Sequence, residues 1–465
     1  MDDIRLKQDD ILELTVEDDG MAGEGIARVG SYTVFVPFCL KGEKVRAKVT
    51  HVRKDNVVFT ELKSVLTPSD LRVKPPCNRF GRCGGCDLMH VEYARQLEIK
   101  RENVERLLRK NAKLNVEVLP TEPCSTPYAY RNKIQLPFGT VEGRTALGFY
   151  RENSHKVVSI TKCFLHGDWA EKLIGATLNY AQKYGLTAYD EVSGKGDLKH
   201  LVARYVDGDL AVVLVTSGRR PRGLEDYVET LKDLFPHFSL YLSRKPEKTN
   251  VVLGNTVETI KEEPFFVDIM GVKAEINPYS FLQLNAEIRD KIYTAVLDDM
   301  FKNEGTPILI DAYAGVGILG AVAAKKGASV YDIEIVQEAV EDGKKLAQNN
   351  GVSDRTTFVC GDAAEELPKI IRSVLGSRKS ENSNLNIVLD PPRKGCDERV
   401  IEALNDLNVP HKLYYISCNP ATLTRDLNRL TNYDVLSVKP YDMFCQTRHV
   451  ETLILLSRKN TEENG

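Results

Sequence analysis

The sequence predicts a multidomain α/β protein: an N-terminal OB-like β-barrel over residues 1–65, a central α+β region with a cysteine cluster over 66–284, and a C-terminal Rossmann-like domain over 285–465. Three observations lead there. Apolar strand-like runs alternate with helical patterns through the C-terminal part. Short alternating runs separated by glycines crowd the first 65 residues. And 465 residues exceed what one hydrophobic core supports.

In the barrel the runs are Ile11 to Val16, Tyr32 to Val36, Lys44 to Val52 and Val57 to Leu62, with turns at Gly20, Gly23, Gly25, Gly30 and Gly42. Short strands at such spacing fit a small barrel of the kind that binds oligonucleotides. Between Lys41 and Lys54 six basic residues face one acid, Glu43, and a second basic stretch runs from Arg95 to Lys113 on a helical pattern. These faces permit RNA binding, whereas a net charge of −3 argues against a bulk polycation. The proline-rich stretch 66–76 reads as a linker.

With 42% hydrophobic and 28% charged residues, no apolar run of membrane length and an acidic, polar start, the chain is expected to be cytoplasmic, without a membrane span or leader. Ten cysteines in that compartment are thiols, metal ligands or catalysts rather than disulfides. Cys77, Cys83 and Cys86, in CNRFGRCGGC, follow C-x5-C-x2-C, and Cys163 in ITKCFLH is the best fourth ligand. Zinc suits four thiolates, but three clustered cysteines plus a remote one favour a closed, structural iron–sulfur cluster. Elsewhere in the central region the pattern predicts a basic helix near 91–111 and strands at 198–206 and 209–215.

The C-terminal strands are expected at Ile308 to Ala312, Val330 to Ile335, Thr357 to Val359, Ile387 to Leu389 and Leu413 to Ser417, forming a parallel, doubly wound sheet. A polar, mobile loop is expected over 373–384. The first strand runs into DAYAGVGILG, where Gly315, Gly317 and Gly320 allow a sharp turn against a ligand, and Glu334 ends the second strand, where it can accept ribose hydroxyls. That much fits NAD equally well. Asp362 after the third strand and DPPRKG from Asp390 after the fourth tilt the reading toward an adenosyl sulfonium ligand. The fifth strand delivers Cys418 at its carboxyl edge, and Glu451 in DMFCQTRHVE offers a carboxylate to the same pocket.

These residues resemble the RNA uracil-5-methyltransferases that carry a TRAM domain and a [4Fe–4S] cluster, typified by the 23S rRNA enzymes. The likeness runs from GMAGEGIAR through CNRFGRCGGC, YRNK, SFLQLN, DAYAGVG, DPPRKG and SCNPATL to DMFCQTRHVE. By that resemblance Gln283, Tyr313, Glu334, Asp362 and Asp390 contact S-adenosylmethionine. Cys418 is the nucleophile, Glu451 the base, and Cys77, Cys83, Cys86 and Cys163 hold the cluster. Three positions depart from the usual pattern: Cys445 stands where proline is common, Ala314 where cysteine is, and Met89 where glutamine is. None is a ligand or a catalytic group.

The chemistry explains the residue types. Carbon 5 of uracil becomes nucleophilic only after a thiolate adds at carbon 6, and the carbon 5 proton must then be removed by a base. Arg393 or Arg425 is a candidate for charge near the uracil oxygens. The expected substrate is an unpaired or flipped uridine in RNA, with 23S rRNA favoured over tRNA, and the expected state is a monomer. The alternatives are transfer of the methyl group to a nitrogen, which leaves Cys418 and Glu451 without work, a non-catalytic RNA-binding protein on the same fold, and, last, an NAD-dependent dehydrogenase.

Overall fold

The computed structural model describes residues 5–459, apart from Ala22 and residues 246–248, 250, 255, 278–279 and 377–383. The polar loop expected over 373–384 therefore falls mostly outside the described residues.

The N-terminal strands join in the order Ile11–Thr15, Lys44–Val52, Val57–Thr67, Tyr32–Pro37, Glu24–Val29, Asp18–Asp19. The first and last of these are consecutive in the chain, so the run 11–19 serves both ends of the sheet and closes it around Leu14, Val34, Val36, Val45, Val49 and Val58. Much of its basic face is compensated: Arg46 pairs with Glu13 at 2.5 Å, Lys48 with Asp9 at 2.7 Å and Arg53 with Asp55 at 2.8 Å. The expected linker is pinned rather than loose. Arg72 meets Glu43, whose side chain is fully buried, at 2.5 Å.

The central sheet runs Thr256–Lys261, His237–Arg244, Asp209–Thr216, Leu198–Val206, Lys133–Val141, Arg144–Tyr150, Val157–Ser159. Helices Asp168–Lys183 and Leu224–Leu234 pack with it around Leu136, Leu147, Leu173, Leu201, Leu231 and Leu240.

The C-terminal sheet holds seven strands, labelled here β1 (Ile308–Asp311), β2 (Ser329–Glu334), β3 (Thr356–Cys360), β4 (Leu385–Leu389), β5 (Lys412–Ser417), β6 (Tyr433–Tyr441) and β7 (Glu451–Arg458). Their order is β3-β2-β1-β4-β5-β7-β6. The five expected parallel strands are all present. β6 and β7 were not foreseen, and β7 runs antiparallel to both its neighbours, so the sheet is mixed. Alternation along β1 sends Leu309 to one core and Ile310 to the other.

Both cores borrow from upstream. The hairpin Phe266–Ile269 and Val272–Glu275 adds Val267, Ile269 and Val272 to the first. Helix Tyr93–Leu107 and the residues after it add Val104, Leu108 and Val118 to the second. Residues 118–122 also lie along β6: the Leu119 N–H donates to the Val438 carbonyl at 2.9 Å and the Glu122 N–H to that of Pro440 at 2.8 Å. An otherwise open sheet edge is thereby covered. From the same helix Lys100 forms a fully buried ion pair with Asp442, and the Tyr93 hydroxyl donates to Asp442 Oδ2 at 2.8 Å. No described helix is long and apolar enough to cross a membrane.

Candidate active site

The glycine loop after β1 departs from its expected rationale. A Cβ on Gly317 would stand 2.5 Å from Asp332 Oδ2, and one on Gly320 2.6 Å from both Asp332 oxygens. These two glycines make room for β2 behind them. Gly315, at φ +57° with nothing within 4 Å of its missing Cβ, is the one that faces open space. Its N–H donates to Glu334 Oε2 at 3.0 Å, while the Val336 N–H donates to Oε1 at 2.9 Å. Glu334 thus shapes the loop and keeps a free lone pair on each oxygen.

Carboxyls gather at the neighbouring strand ends. Asp311 accepts the Tyr313 N–H at 3.1 Å and is pushed up to about 7 by burial, with Asp390 and Glu334 adding to the rise. Burial also raises Asp390 to about 7. Asp332 is fully buried, its oxygens have no hydrogen-bond partner, and burial holds it well above the usual carboxylate range. The sequence reading passed over Asp311 and Asp332 as site residues. Their signal was a charged residue inside a strand buried on both faces.

Other predicted residues are placed less simply. Asp362 accepts the Ala364 N–H at 3.0 Å, capping helix Ala363–Gly376, and its other oxygen meets Arg399 at 2.5 Å. Gln283 lies half-buried in the segment before helix Ala286–Met300, its carbonyl accepting from Asn132 Nδ2 at 2.9 Å.

Cys418 directly follows β5 and is half-buried. Two residues on, Pro420 begins helix Pro420–Arg429, capped by the Asn419 side chain, which accepts the Ala421 N–H at 3.2 Å. Glu451 opens β7 and is 3% exposed. The register Ser417 opposite Thr452 sets the two groups at neighbouring strand ends. Burial raises the thiol first, then the Glu451 charge, against which Arg393 pulls it down. Burial likewise holds Glu451 well above its ordinary range, Asp390 adding and Arg393 opposing. Arg425 has other work: its guanidinium donates to Asp426 at 2.8 Å and to the Lys394 carbonyl at 2.9 Å. Of the two candidate arginines, Arg393 is the one whose charge reaches the thiol.

Cys77, Cys83, Cys86 and Cys163 line one cavity, together with Met89, Phe149, Ile160 and Arg131. Burial pushes Cys83 up to about 11, with Cys163 and Cys77 adding. Among the described residues no three histidine, cysteine or acidic side chains gather tightly enough to hold a single metal ion. The loop carrying these cysteines is tied to the segment before β7: the Asp87 and Leu88 N–H groups both donate to the Gln446 carbonyl at 3.1 Å.

Residues 223–459 match the tRNA (uracil-5-)-methyltransferase family, and residues 6–63 match the TRAM domain. The chain belongs to the tRNA (uracil-5-)-methyltransferase family. This family member is 36% identical over 459 residues to an uncharacterized RNA methyltransferase of Listeria innocua, covering 98% of this chain and 99% of the relative. It is 35% identical to one from Clostridium acetobutylicum, covering 98% of both. Among solved structures it is similar to the Pyrococcus abyssi tRNA (uracil-54, C5)-methyltransferase in complex with S-adenosyl-L-homocysteine, with a TM-score of 0.74 and 25% identity over 96% of this chain and 99% of that one.

Proposed function

We propose that this methyltransferase places a methyl group from S-adenosylmethionine on carbon 5 of an RNA uridine through a covalent adduct between Cys418 and carbon 6. The observation that carries this reading is the joint placement of Cys418 and Glu451 at neighbouring strand ends, with the Glu451 charge felt at the thiol. The Cys418 thiolate, favoured by Arg393 and by the N-terminus of helix Pro420–Arg429, adds to carbon 6. Carbon 5 then carries enolate density. S-adenosylmethionine, when bound, supplies an electrophilic methyl group. Glu451, whose raised affinity for protons suits a base, takes the carbon 5 proton, and elimination of the Cys418 thiolate releases the product.

The donor set fits the cofactor. Glu334 suits the ribose hydroxyls, Asp390 and the adjoining Asp311 the positive sulfonium end, with Tyr313 beside Asp311, and Gln283 is assigned to the cofactor by the family resemblance alone. Asp362 would reach the adenine amine only through the lone pairs that the Ala364 N–H and Arg399 leave on its two oxygens.

For the central cavity the favoured occupant is a [4Fe–4S] cluster on Cys77, Cys83, Cys86 and Cys163. A zinc–sulfur bond of about 2.3 Å would draw four sulfurs close together, whereas a cubane spreads its ligands over its corners. What supports the cluster is that all four cysteines line one cavity. Broad visible absorbance that bleaches on oxidation is expected, and a colourless, zinc-containing protein from anaerobic purification rejects the cluster.

The substrate to try first is 23S rRNA, with tRNA, the substrate of the archaeal neighbour, second. Mapping 5-methyluridine in total RNA from cells with and without the protein tests the reading. Unchanged maps in both RNAs overturn it.

A further inference from the structure

A second pocket, of about 530 Å³, opens in the central region and shares Arg131 with the wall of the cysteines' cavity, although the Arg131 Nε donates to the Tyr130 hydroxyl at 3.2 Å. We propose that it holds a nucleobase turned out of the substrate RNA, one bearing an exocyclic amine rather than a uracil. The inference rests on the RNA methyltransferase reading above.

Its floor is aromatic. Trp169, 8% exposed, stacks on Tyr205 with ring centroids 5.5 Å apart and 17° between planes, and Phe235 meets Tyr205 edge-on at 6.4 Å. Bases turned out of a strand find their main holding energy on such rings. The volume lies in the range of small-ligand sites. At the rim Asp168 and Asp207 are exposed acceptors, and carboxylates accept but do not donate. They suit the amine of adenine, cytosine or guanine, whereas uracil presents them two carbonyls and a single N3–H. Asp168 also meets Lys162 at 3.6 Å, which moderates its charge toward a nearby phosphate. Lys172 on the same rim is exposed and makes no ion pair among the described residues, leaving it for the RNA backbone.

Position ties the pocket to the chemistry. One wall is the segment 129–132. Its Asn132 Nδ2 donates to the Gln283 carbonyl at 2.9 Å, and its Tyr130 hydroxyl donates to the Cys445 carbonyl at 3.0 Å. The Tyr205 N–H donates to the Asn132 carbonyl at 2.8 Å. The stack is therefore joined through hydrogen bonds both to Gln283 and to the loop before Glu451.

Trp169 is the only tryptophan in the chain, so its emission reports on this pocket directly. The full-length protein is titrated with the ribo-oligonucleotides A6 and U6. Saturable quenching by A6 is expected, with U6 about fivefold weaker, the worth of one hydrogen bond. Tyr205→Ala and Lys172→Ala should each weaken the A6 response several-fold while leaving S-adenosylmethionine affinity, measured by calorimetry, at the native value. Equal quenching by U6, or A6 binding by anisotropy without any change in emission, overturns the proposal. RNA that is methylated normally with Trp169 emission unmoved removes the pocket and leaves the methyl-transfer reading standing. Persistent quenching with no 5-methyluridine formed does the reverse.

Discussion

Two sets of cysteines in this molecule begin from the same disadvantage and are led in opposite directions by their neighbours. Burial raises Cys83 and Cys163 around the central cavity, and it raises Cys418 at the end of β5. Around the cavity the thiolates oppose one another, and the single Arg131 guanidinium is shared among Cys83, Cys86 and Cys163, lowering each. Beside Cys418 one thiol has Arg393 and a helix N-terminus to itself, while the Glu451 charge opposes them. A cysteine's role is thus set by what offsets its desolvation. Several thiols sharing one arginine fit the proposed cluster, and one thiol with its own arginine and carboxyl fits the proposed nucleophile.

Breaking this contrast at Cys418 should have the largest effect. Cys418→Ala is expected to cost about 10⁴-fold or more in methyl transfer with S-adenosylmethionine still bound, read as 5-methyluridine formed per protein. A normal rate sinks the covalent mechanism. Glu451→Gln should slow turnover by about 10²- to 10⁴-fold, the usual range for a general base, and accumulate a protein–RNA adduct visible as a retarded band on a denaturing gel. Absence of the adduct in the slowed variant assigns the base elsewhere.

A structural test follows in size. Lys100→Met leaves Asp442 charged and unpaired at zero exposure, and removing one partner of such a pair costs about 3–5 kcal/mol. Chemical denaturation should show it, and a midpoint like the native one would mean that Asp442 takes up a proton instead.

The smallest expected effect concerns pH. Asp311 and Asp390, at about 7, bind protons in the folded chain that they lack when unfolded above pH 4. Stability without cofactor should therefore fall as pH rises from about 4 through about 7. Over the same upper range their ionisation should tighten binding of the positive sulfonium, by at most about tenfold per pH unit for each carboxyl, and affect the neutral thioether product less. Calorimetry at pH 6 and pH 8 checks this, and Asp390→Asn should flatten the profile.

Reading the sequence against this structure separates what local pattern encodes from what only tertiary contact creates. The five parallel strands and Cys418 were legible because buried strands are continuous apolar runs and their carboxyl ends gather the chemistry. β6 and β7 were missed although ETLILL is a strong apolar run, since an antiparallel insertion leaves no signature of its own. Glu451 was named from its motif, but its burial against β5 comes from that insertion. The basic helix near residue 95 looked like an RNA surface. In the fold Arg95 meets Asp19 at 2.9 Å and Lys100 is buried with Asp442, partnerships spanning long stretches of chain that no local window contains.

The borrowing of Val104, Leu108 and Val118 by the C-terminal core bears on how the protein can be handled. A fragment starting near residue 285 would lack those three side chains, the strip that shields β6 and, among the described residues, the only partner of Asp442 with a positive charge. Such a truncation should precipitate on expression. Supplying the missing stretch as a separate peptide offers a route to reassembling it from two halves.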